Sequence, residues 1–324
     1  MTTQLIVWKS ILKSIQQKLP VMLLYVLESH GSSPGRQGFL MAVNAAGDME
    51  GSIGGGIMEH KFVELAKEKL TNQPTEPTLS IRTQYHDKSA ISNQSGMICS
   101  GDQTILIYRI QPNDALAIQG IIDCLQQHQN GLLTLSPTGI QFSANKLPEV
   151  DYQFTMQSEQ EWLYQERIGY KNQLFIIGGG HCALALSRMM SLMDFYIHVF
   201  DDRSNLHTMM LNDITHEKTV VNSYDELSSH ISSGTHHYVV VMTFGYRTDD
   251  LAIRALLNKE LTYLGVLGSK AKIKKLFSDY RAEGISEEKL KRIYAPIGLP
   301  INSQTPEEIA ISIAAEIIRV KNTK

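Results

Sequence analysis

The sequence predicts a two-domain α/β protein. An N-terminal α/β domain (residues 1–168) precedes a Rossmann-type domain with a doubly wound parallel sheet (residues 171–324). The chain has 324 residues, which is more than one hydrophobic core usually organises. In its second half, short apolar runs alternate with helix-like runs, a pattern typical of a parallel sheet covered on both faces. A glycine-rich turn, Gly178-Gly179-Gly180, follows the first of these runs, where this fold places its phosphate-binding loop.

Composition and charge exclude several classes of partner. The chain is 43% hydrophobic and 19% charged, as in an ordinary globular protein. Its net charge of −3 provides no general attraction to nucleic acid or to an acidic membrane surface. No apolar run reaches the ~18 residues that span a bilayer, and the first residues do not resemble a secretory signal. We therefore expect neither nucleic acid nor membrane as a partner.

Cysteine and histidine usage indicates a reducing compartment and no metal site. The three cysteines, Cys99, Cys124 and Cys182, contain no CxxC pair. This count argues against a disulfide framework and favours the cytoplasm. The 11 histidines include no HExxH or other pair with metal-ligand spacing.

The first domain is predicted to open with an amphipathic helix at residues 4–18, which Pro20 ends. A buried strand (residues 21–27), a polar loop (residues 28–38) and a hairpin with its turn around Gly47 follow. Residues 112–168 are assigned to this domain, although no motif supports their attachment. The further predicted elements are a helix at 57–70, strands at 79–84 and 103–110, a helix at 115–127 and weak strands at 132–135 and 140–142.

The second domain is predicted from its alternating elements, and its last helix has the clearest signal. Thr305 and Glu308 form a capping-box pair, and Pro306 occupies the first helical position. Apolar residues then recur at core spacing through Val320. The other predicted strands are 174–177, 196–200, 219–222, 238–243 and 261–266, and the other predicted helices are 182–193, 249–257 and 270–283.

The glycine turn of the second domain matches a nucleotide-binding pattern. Gly178, Gly180 and Ala183 occupy the small positions of G-x-G-x-x-[GA]. These positions allow a tight turn, a close approach of phosphate and close packing of helix on strand. The helix amides would face the anion, with His181 inside the loop. Asp201 and Asp202 follow the next strand near the ~20-residue offset of a ribose-binding acid. The alternative is that the glycines only turn the chain and the acids only cap a loop.

Three loops of the first half carry residues that a hydrophobic core would not need. Residues 31–36 are rich in hydroxyl groups and include Ser33 and Arg36. The run Gly54-Gly55-Gly56 leads into a helix that contains Glu59, and such a run can bind an anion through its amides. Cys99 lies between two glycines, where a thiol is more exposed than in a core. The alternative for each loop is a turn alone.

Together these segments resemble the XdhC/CoxI family of xanthine dehydrogenase accessory factors. The resemblance covers most of the chain outside residues 112–169. The matching segments are HGSSPGRQG, GSIGGGIME and GMICSGD in the first half and FIIGGGHCALAL, VFDDR, VLGSKAK and APIGLPINSQTPEEIAISIAAEII in the second. The resemblance implies a chaperone without turnover of its own, which binds molybdenum cofactor, supports its sulfuration and delivers it to a molybdenum hydroxylase apo-enzyme. It also implies a homodimer and a cysteine desulfurase as a further partner.

The resemblance also implies roles for individual residues. Molybdopterin carries a phosphate, and its cytosine dinucleotide form carries a pyrophosphate, so backbone loops that bind anions are expected. Glu59 would orient ligand groups or move protons, and Cys99 would contact the molybdenum or its sulfur. The expected cofactor-binding residues are Ser33, Arg36, Gly54, Gly55, Gly56, Gly178, Gly179, Gly180, His181, Asp201, Asp202 and Arg203, with Arg247 and Lys270 as further charge partners.

The sequence departs from the family pattern at two places. Members commonly have a cysteine just before the glutamate of the first triple-glycine region, where this chain has Met58. A mechanism that needs two thiols is therefore in doubt. Many members also have Thr-His after the fourth strand of the Rossmann half, where this chain has Thr243-Phe244.

Two other functions remain open at the level of sequence. An NAD(P)-dependent oxidoreductase would use the Rossmann loop, and an acid at Asp201 would favour NAD over NADP. However, no pair of residues suited to acid–base help in hydride transfer is evident, and a fold does not fix a function. A ligand-sensing or scaffold protein would show neither cofactor transfer nor turnover.

Overall fold

Two units, residues 1–169 and 170–324, each contain their own sheets and hydrophobic cores. The structure, a computed structural model, describes residues 3–71, 79–85, 101–144 and 146–323. Residues 112–168 belong to the first unit. Among the described residues, no helix is long and apolar enough to cross a membrane.

The described residues of the first unit form two antiparallel sheets, with strand orders β3-β2-β1-β5-β4 and β7-β6-β9-β8. Its elements are α1 (Thr3–Gln16), β1 (Val21–Gly31), β2 (Leu40–Asn44), β3 (Met49–Gly51), α2 (Gly56–Thr71), β4 (Leu79–Tyr85), β5 (Gly101–Arg109), α3 (Ala115–Gln126), β6 (Gly131–Ser136), β7 (Gly139–Ser143), β8 (Tyr152–Ser158) and β9 (Glu161–Ile168).

Residues 21–27 of strand β1 are apolar without interruption because both faces of this part of the strand are covered. Leu23 and Tyr25 lie in one core together with residues of α1, α3 and the second sheet, whereas Met22 and Leu24 lie in another core with residues of α2. Successive side chains of a strand point to opposite faces, so one run supplies both cores. The strand continues to Gly31, because residues 28–31 pair with β5. The prediction of a loop from residue 28 was therefore wrong for its first four residues.

Strands β8 and β9 were not predicted. Every second residue of β9 is buried, including Trp162, Tyr164 and Glu166, whereas β8 is mostly exposed and carries polar residues. The buried carboxylate of Glu166 accepts hydrogen bonds from Tyr25 at 2.5 Å and from Tyr164 at 2.7 Å. Burial, followed by the charge of Glu166, raises the pKa of both phenols. This polar cluster joins the two sheets of the first unit.

The second unit is a parallel sheet with the strand order β12-β11-β10-β13-β14-β15, which is the doubly wound order of a Rossmann fold. The predicted fold class is confirmed. Its elements are β10 (Asn172–Ile177), α4 (His181–Ser191), β11 (Phe195–Asp201), α5 (His207–Met210), β12 (Glu217–Val220), α6 (Leu227–His230), β13 (Gly234–Val241), α7 (Tyr246–Leu256), β14 (Leu261–Val266), α8 (Lys270–Ala282), α9 (Glu287–Lys291), β15 (Ile293–Tyr294) and α10 (Pro306–Asn322).

Two cores cover the two faces of this sheet. Leu174 and Ile176 of β10 pack in one core with residues of α4 and α10, and Phe175 and Ile177 pack in the other with residues of α7 and α8. The capping box of α10 is confirmed. The Thr305 hydroxyl accepts from the Glu308 amide at 3.2 Å, and the Glu308 carboxylate accepts from the Thr305 amide, also at 3.2 Å.

The largely buried imidazole of His198 in β11 should make the folded protein less stable in acid. Its ring lies 2.9 Å from the Glu217 carboxylate and 2.8 Å from the Thr219 hydroxyl, and only 12% of its side chain is exposed. Burial lowers the pKa of His198 to about 4, although the charge of Glu217 acts in the opposite direction.

Because the pKa of an unfolded histidine is about 6.5, acid protonates the unfolded chain first. His198 therefore costs the native state stability as the pH falls from about 6.5 to 4, by at most about 3 kcal/mol. We expect the free energy of unfolding, measured by urea titration, to fall less steeply over this range in His198→Gln. The exposed control His207→Gln should follow the wild-type curve. Identical slopes for all three proteins would contradict the prediction.

Candidate functional site

The glycine loop after β10 meets the loop after β13 at the carboxyl edge of the second unit's sheet. Gly178 has a φ of +107°, and a Cβ atom there would lie 2.4 Å from the Met242 carbonyl oxygen and 2.9 Å from the Thr243 Cα. No side chain fits between the two backbones. The order of the strands reverses between β10 and β13, and Rossmann folds bind their ligands in the crevice at this point.

The carboxylate of Asp201 fixes the glycine loop through a hydrogen bond to its backbone. It is fully buried and accepts the Gly179 amide at 2.7 Å. The guanidinium of Arg203 donates to both of its oxygens, at 2.8 and 2.9 Å, and the Arg203 amide donates at 2.9 Å. Burial alone would raise the pKa of Asp201, but these hydrogen bonds hold it below its ordinary value. Both oxygens are committed to the protein, so we reassign Asp201 from ribose binding to positioning of the loop.

Gly180 and His181 are the part of the loop that is open to a ligand. Gly180 precedes α4, and a Cβ atom there would meet nothing within 4 Å. His181 is exposed at the start of the helix, and Ala183 is fully buried, as its small position requires. An anion can therefore approach the first amides of α4, where the helix dipole also favours it.

Three further residues surround this loop. Asp202 accepts the Tyr224 hydroxyl at 3.3 Å, and its side chain is partly exposed. The guanidinium of Arg203 lies 5.8 Å from the ring centroid of Phe244. The sequence identified Phe244 as a departure from the family pattern, but nothing near it along the chain indicates that it lies beside Arg203.

A second buried acid, Asp249, was missed by sequence reasoning. It is fully buried in the first turn of α7 and accepts the Thr243 amide at 3.1 Å and the Thr243 hydroxyl at 2.6 Å. Lys272 of α8 donates to its other oxygen. The network joins the starts of α7 and α8 to the loop after β13. An acid in the first turn of a helix was the available signal, but its partners are 6 and 23 residues away in the chain.

In the first unit, the three family-like loops converge through their backbones. A Cβ atom at Gly35 would lie 2.0 Å from the Ile53 carbonyl oxygen, and one at Gly54 would lie 2.5 Å from the Gly35 amide. A Cβ atom at Gly101 would lie 3.0 Å from the Ser33 amide. The glycines of three separate sequence motifs are therefore required by one contact region. Ser33 is buried, and its hydroxyl donates to the Gly35 carbonyl at 3.3 Å.

Glu59 occupies the anion site that the triple-glycine run was predicted to form. Its Oε2 atom accepts the Ser52 hydroxyl at 2.6 Å, the Ile53 amide at 2.9 Å and the Gly55 amide at 3.1 Å. The Gly54 amide donates to the Ser52 hydroxyl at 3.1 Å. The loop does bind a carboxylate, but this carboxylate is its own. An external anion would have to replace Glu59 or bind at Gly56.

The other predicted site residues contribute less to this geometry. Arg36 is exposed and donates to the Gly31 carbonyl at 3.0 Å. Cys99 lies outside the described residues. Burial raises the pKa of Cys182 and raises that of Cys124 to about 11, so both thiols are held in the protonated form. Among the described residues, no group of three or more histidine, cysteine or acidic side chains is placed to hold a metal ion.

Two family models match the chain. The model of the XdhC Rossmann domain matches residues 174–317, and that of the XdhC and CoxI family matches residues 14–82. The protein belongs to the XdhC/CoxI family. The resemblance predicted from the sequence motifs is thereby confirmed.

Relatives of this XdhC/CoxI protein match it over nearly its whole length. YqeB of Escherichia coli is 25% identical over 312 residues, which are 95% of this chain but only 44% of that protein. A probable xanthine dehydrogenase subunit of Bacillus subtilis is 24% identical over 324 residues, 95% of each chain. A solved structure described as a xanthine dehydrogenase from Bacillus halodurans is 22% identical. It covers 98% of this chain and 96% of its own, with a TM-score of 0.68, and so shares the fold.

Removing the charge of Asp201 should destabilise the second unit. Asp201→Asn removes the nearer counter-charge of Arg203, which keeps only Asp202 at 3.8 Å, and leaves the loop with a poorer acceptor. Breaking a buried ion pair costs about 3–5 kcal/mol, and because Arg203 is 40% exposed we expect about 2–3 kcal/mol. Because the native pKa of Asp201 is lowered, this contribution is present above pH ~4 and is lost at lower pH. Urea unfolding measures it, with Asp202→Asn as the neighbouring control. Equal stability of the two variants at pH 7 would refute the role assigned to Asp201.

Removing Glu59 should expose an anion site in the first unit. Glu59→Ala frees the amides of Ile53 and Gly55, and we expect a loss of about 1–2 kcal/mol of stability. Inorganic phosphate should then raise the thermal midpoint of Glu59→Ala more than that of the wild type, since a ligand that binds only the folded state stabilises it. The control is Glu64→Ala on the same helix. If phosphate shifts all three midpoints equally, the amides of the triple-glycine loop do not form an anion site.

Proposed function

We propose that this XdhC/CoxI protein is an accessory factor that binds molybdenum cofactor, supports its sulfuration and delivers it to a xanthine dehydrogenase-type apo-enzyme. The cofactor is cargo here, and the protein has no turnover of its own. The observation that carries the proposal is the convergence of the Ser33, Gly54 and Gly101 loops. This contact region brings together the three sequence motifs by which the first unit resembles the family. A protein that had only a Rossmann domain would not contain it.

The residues present fit a cargo that carries phosphate. In the second unit, Gly180 offers open space at the start of α4, and the exposed side chains of Arg247 and Lys270 lie at the starts of α7 and α8 at the same edge of the sheet. In the first unit, the amides around Gly55 already hold a carboxylate, which shows that their arrangement accepts a negative group. Cys99, two residues before Gly101 in the sequence, is the thiol that we assign to contact with the molybdenum or its sulfur.

The partners of this process are part of the proposal. Relatives whose names refer to xanthine dehydrogenase support a molybdenum hydroxylase as the recipient. Sulfuration needs a sulfur donor, for which a cysteine desulfurase is suited. We further propose that the protein works in the cytoplasm and as a homodimer.

Binding of molybdenum cofactor under anaerobic conditions tests the proposal. We expect co-elution with an affinity in the micromolar range or tighter. Gly180→Asp should weaken it about tenfold or more, because a carboxylate would face the phosphate at the start of α4. Gly180→Ala is the matched control, since a Cβ atom fits there and the charge is unchanged. Cys99→Ala should weaken binding, and Cys182→Ala should not.

Weakening by Cys99→Ala without an effect of Gly180→Asp would place the cargo in the first unit alone. No binding of cofactor by the wild type, together with strong stabilisation by NAD, would overturn the proposal and favour an NAD-dependent oxidoreductase.

A further inference from the structure

Helix α10 carries an apolar stripe on the side that points away from the core. Ile313 and Ile317 of this helix are fully buried, whereas Ile311 and Ile318 are 47% and 37% exposed. Ala315 lies between the exposed pair and is partly buried. Positions 311, 315 and 318 share one side of the helix, because residues three and four apart are neighbours on a helix surface. Helix α10 is thus apolar on two opposite sides, and the core covers only the inner one.

The segment before α10 adds a third exposed isoleucine beside this stripe. Ile301 is 48% exposed, and its amide donates to the Leu299 carbonyl at 2.9 Å. The Leu299 amide donates to the Ser312 carbonyl at 3.2 Å, and the Ser312 hydroxyl donates to the Leu299 carbonyl at 2.6 Å. These bonds hold the segment against the helix at the position next to Ile311. Single exposed apolar side chains are ordinary, but a group of them marks an interaction surface.

The two ends of α10 carry opposite charges. Its first turn contains Glu307 and Glu308, its last turn contains Arg319 and Lys321, and all four side chains are exposed. Backbone hydrogen bonds at the start of the helix lower the pKa of Glu308, so its carboxylate is ionised at neutral pH. Arg319 pairs with Glu316 of its own helix at 3.2 Å but keeps 57% of its side chain exposed. The apolar stripe therefore runs from an acidic end to a basic end.

A second copy of the chain is complementary to this face when its helix runs in the opposite direction. The acidic start of each helix then meets the basic end of the other, whereas parallel helices would place like charges together. A two-fold axis near Ala315 gives this arrangement and brings Ile311 of each copy against Ile318 of the other. The small side chain of Ala315 at the crossing point lets the two helix axes approach to about 8–10 Å.

We infer that α10 and Ile301 form a self-complementary interface between two copies of this chain, with the two helices antiparallel across a two-fold axis near Ala315. The inference rests on the homodimer of the proposed function and assigns its surface. The 17 residues of α10 span only about 25 Å, so the interface is smaller than that of a tight dimer. We therefore expect a dissociation constant in the micromolar range.

Sedimentation velocity of the full-length protein across the micromolar range tests the interface. Ile318→Lys places a charge in its apolar centre, and we expect dimerisation to weaken about tenfold or more. Leu251→Lys is the matched control and should dimerise like the wild type. Leu251 is 40% exposed on α7, which packs on the opposite face of the sheet from α10. Circular dichroism checks that both variants keep their fold.

Charge reversal provides a second readout, which depends on the direction of the two helices. Glu307→Lys places cations at both ends of the stripe, and Lys321→Glu places anions there. Each variant alone should dimerise several-fold more weakly than the wild type, because like charges meet in the antiparallel pair. An equimolar mixture of the two variants should recover dimerisation, since opposite charges then meet at both ends of the heterodimer.

The inference is overturned if Ile318→Lys dimerises as well as the wild type, because the homodimer then uses another surface and the proposed function stands. It is also overturned if neither charge reversal alone weakens dimerisation. A wild type that stays monomeric across the micromolar range contradicts the inference together with the proposed homodimer. Binding of molybdenum cofactor, measured on the same samples, separates the two accounts. Dimerisation through α10 without cofactor binding would contradict the proposed function alone.

Discussion

The carboxylate of Asp201 is the interaction on which the carboxyl edge of the second unit depends. It accepts the amide of Gly179 and the guanidinium of Arg203, and so fixes the glycine loop and the position of Arg203 beside it. Glu59 has the corresponding role in the first unit, where it accepts the amides of Ile53 and Gly55. Both glycine-rich loops are therefore shaped by carboxylates of the protein itself. A ligand can use only the amides and surfaces that these two acids leave open.

The fold was largely predictable because its signals are local. The capping pair Thr305 and Glu308 fixes the start of α10, and apolar strands between helices give the parallel sheet. The predictions of strands failed where the pairing or burial of a strand depends on residues that are distant in the sequence. Strand β9 has a buried face because Trp162 and Tyr164 pack in one core with residues of β1, which lies far away in the sequence. The end of β1 likewise depends on pairing with β5 across a long stretch of sequence.

The candidate site was predictable as a set of motifs but not as a set of roles. Glycine spacing identified the loops, because close backbone approach requires glycine whatever the ligand. Sequence spacing could not show that the carboxylates of Asp201 and Glu59 accept hydrogen bonds from the protein itself, since the same acids would be expected beside a ligand. Nor could it pair Asp249 with Lys272 or Arg203 with Phe244, because these contacts exist only after the strands are ordered.

Transfer of cargo is the measurement closest to the central claim that this XdhC/CoxI protein is a delivery factor. The protein, loaded anaerobically with sulfurated molybdenum cofactor, would be mixed with a xanthine dehydrogenase-type apo-enzyme, and the molybdenum content and activity of the recipient would be followed over time. We predict faster and more complete activation than with the same amount of free cofactor. Activation no faster than with free cofactor, with the molybdenum remaining on the accessory protein or in solution, would contradict the account.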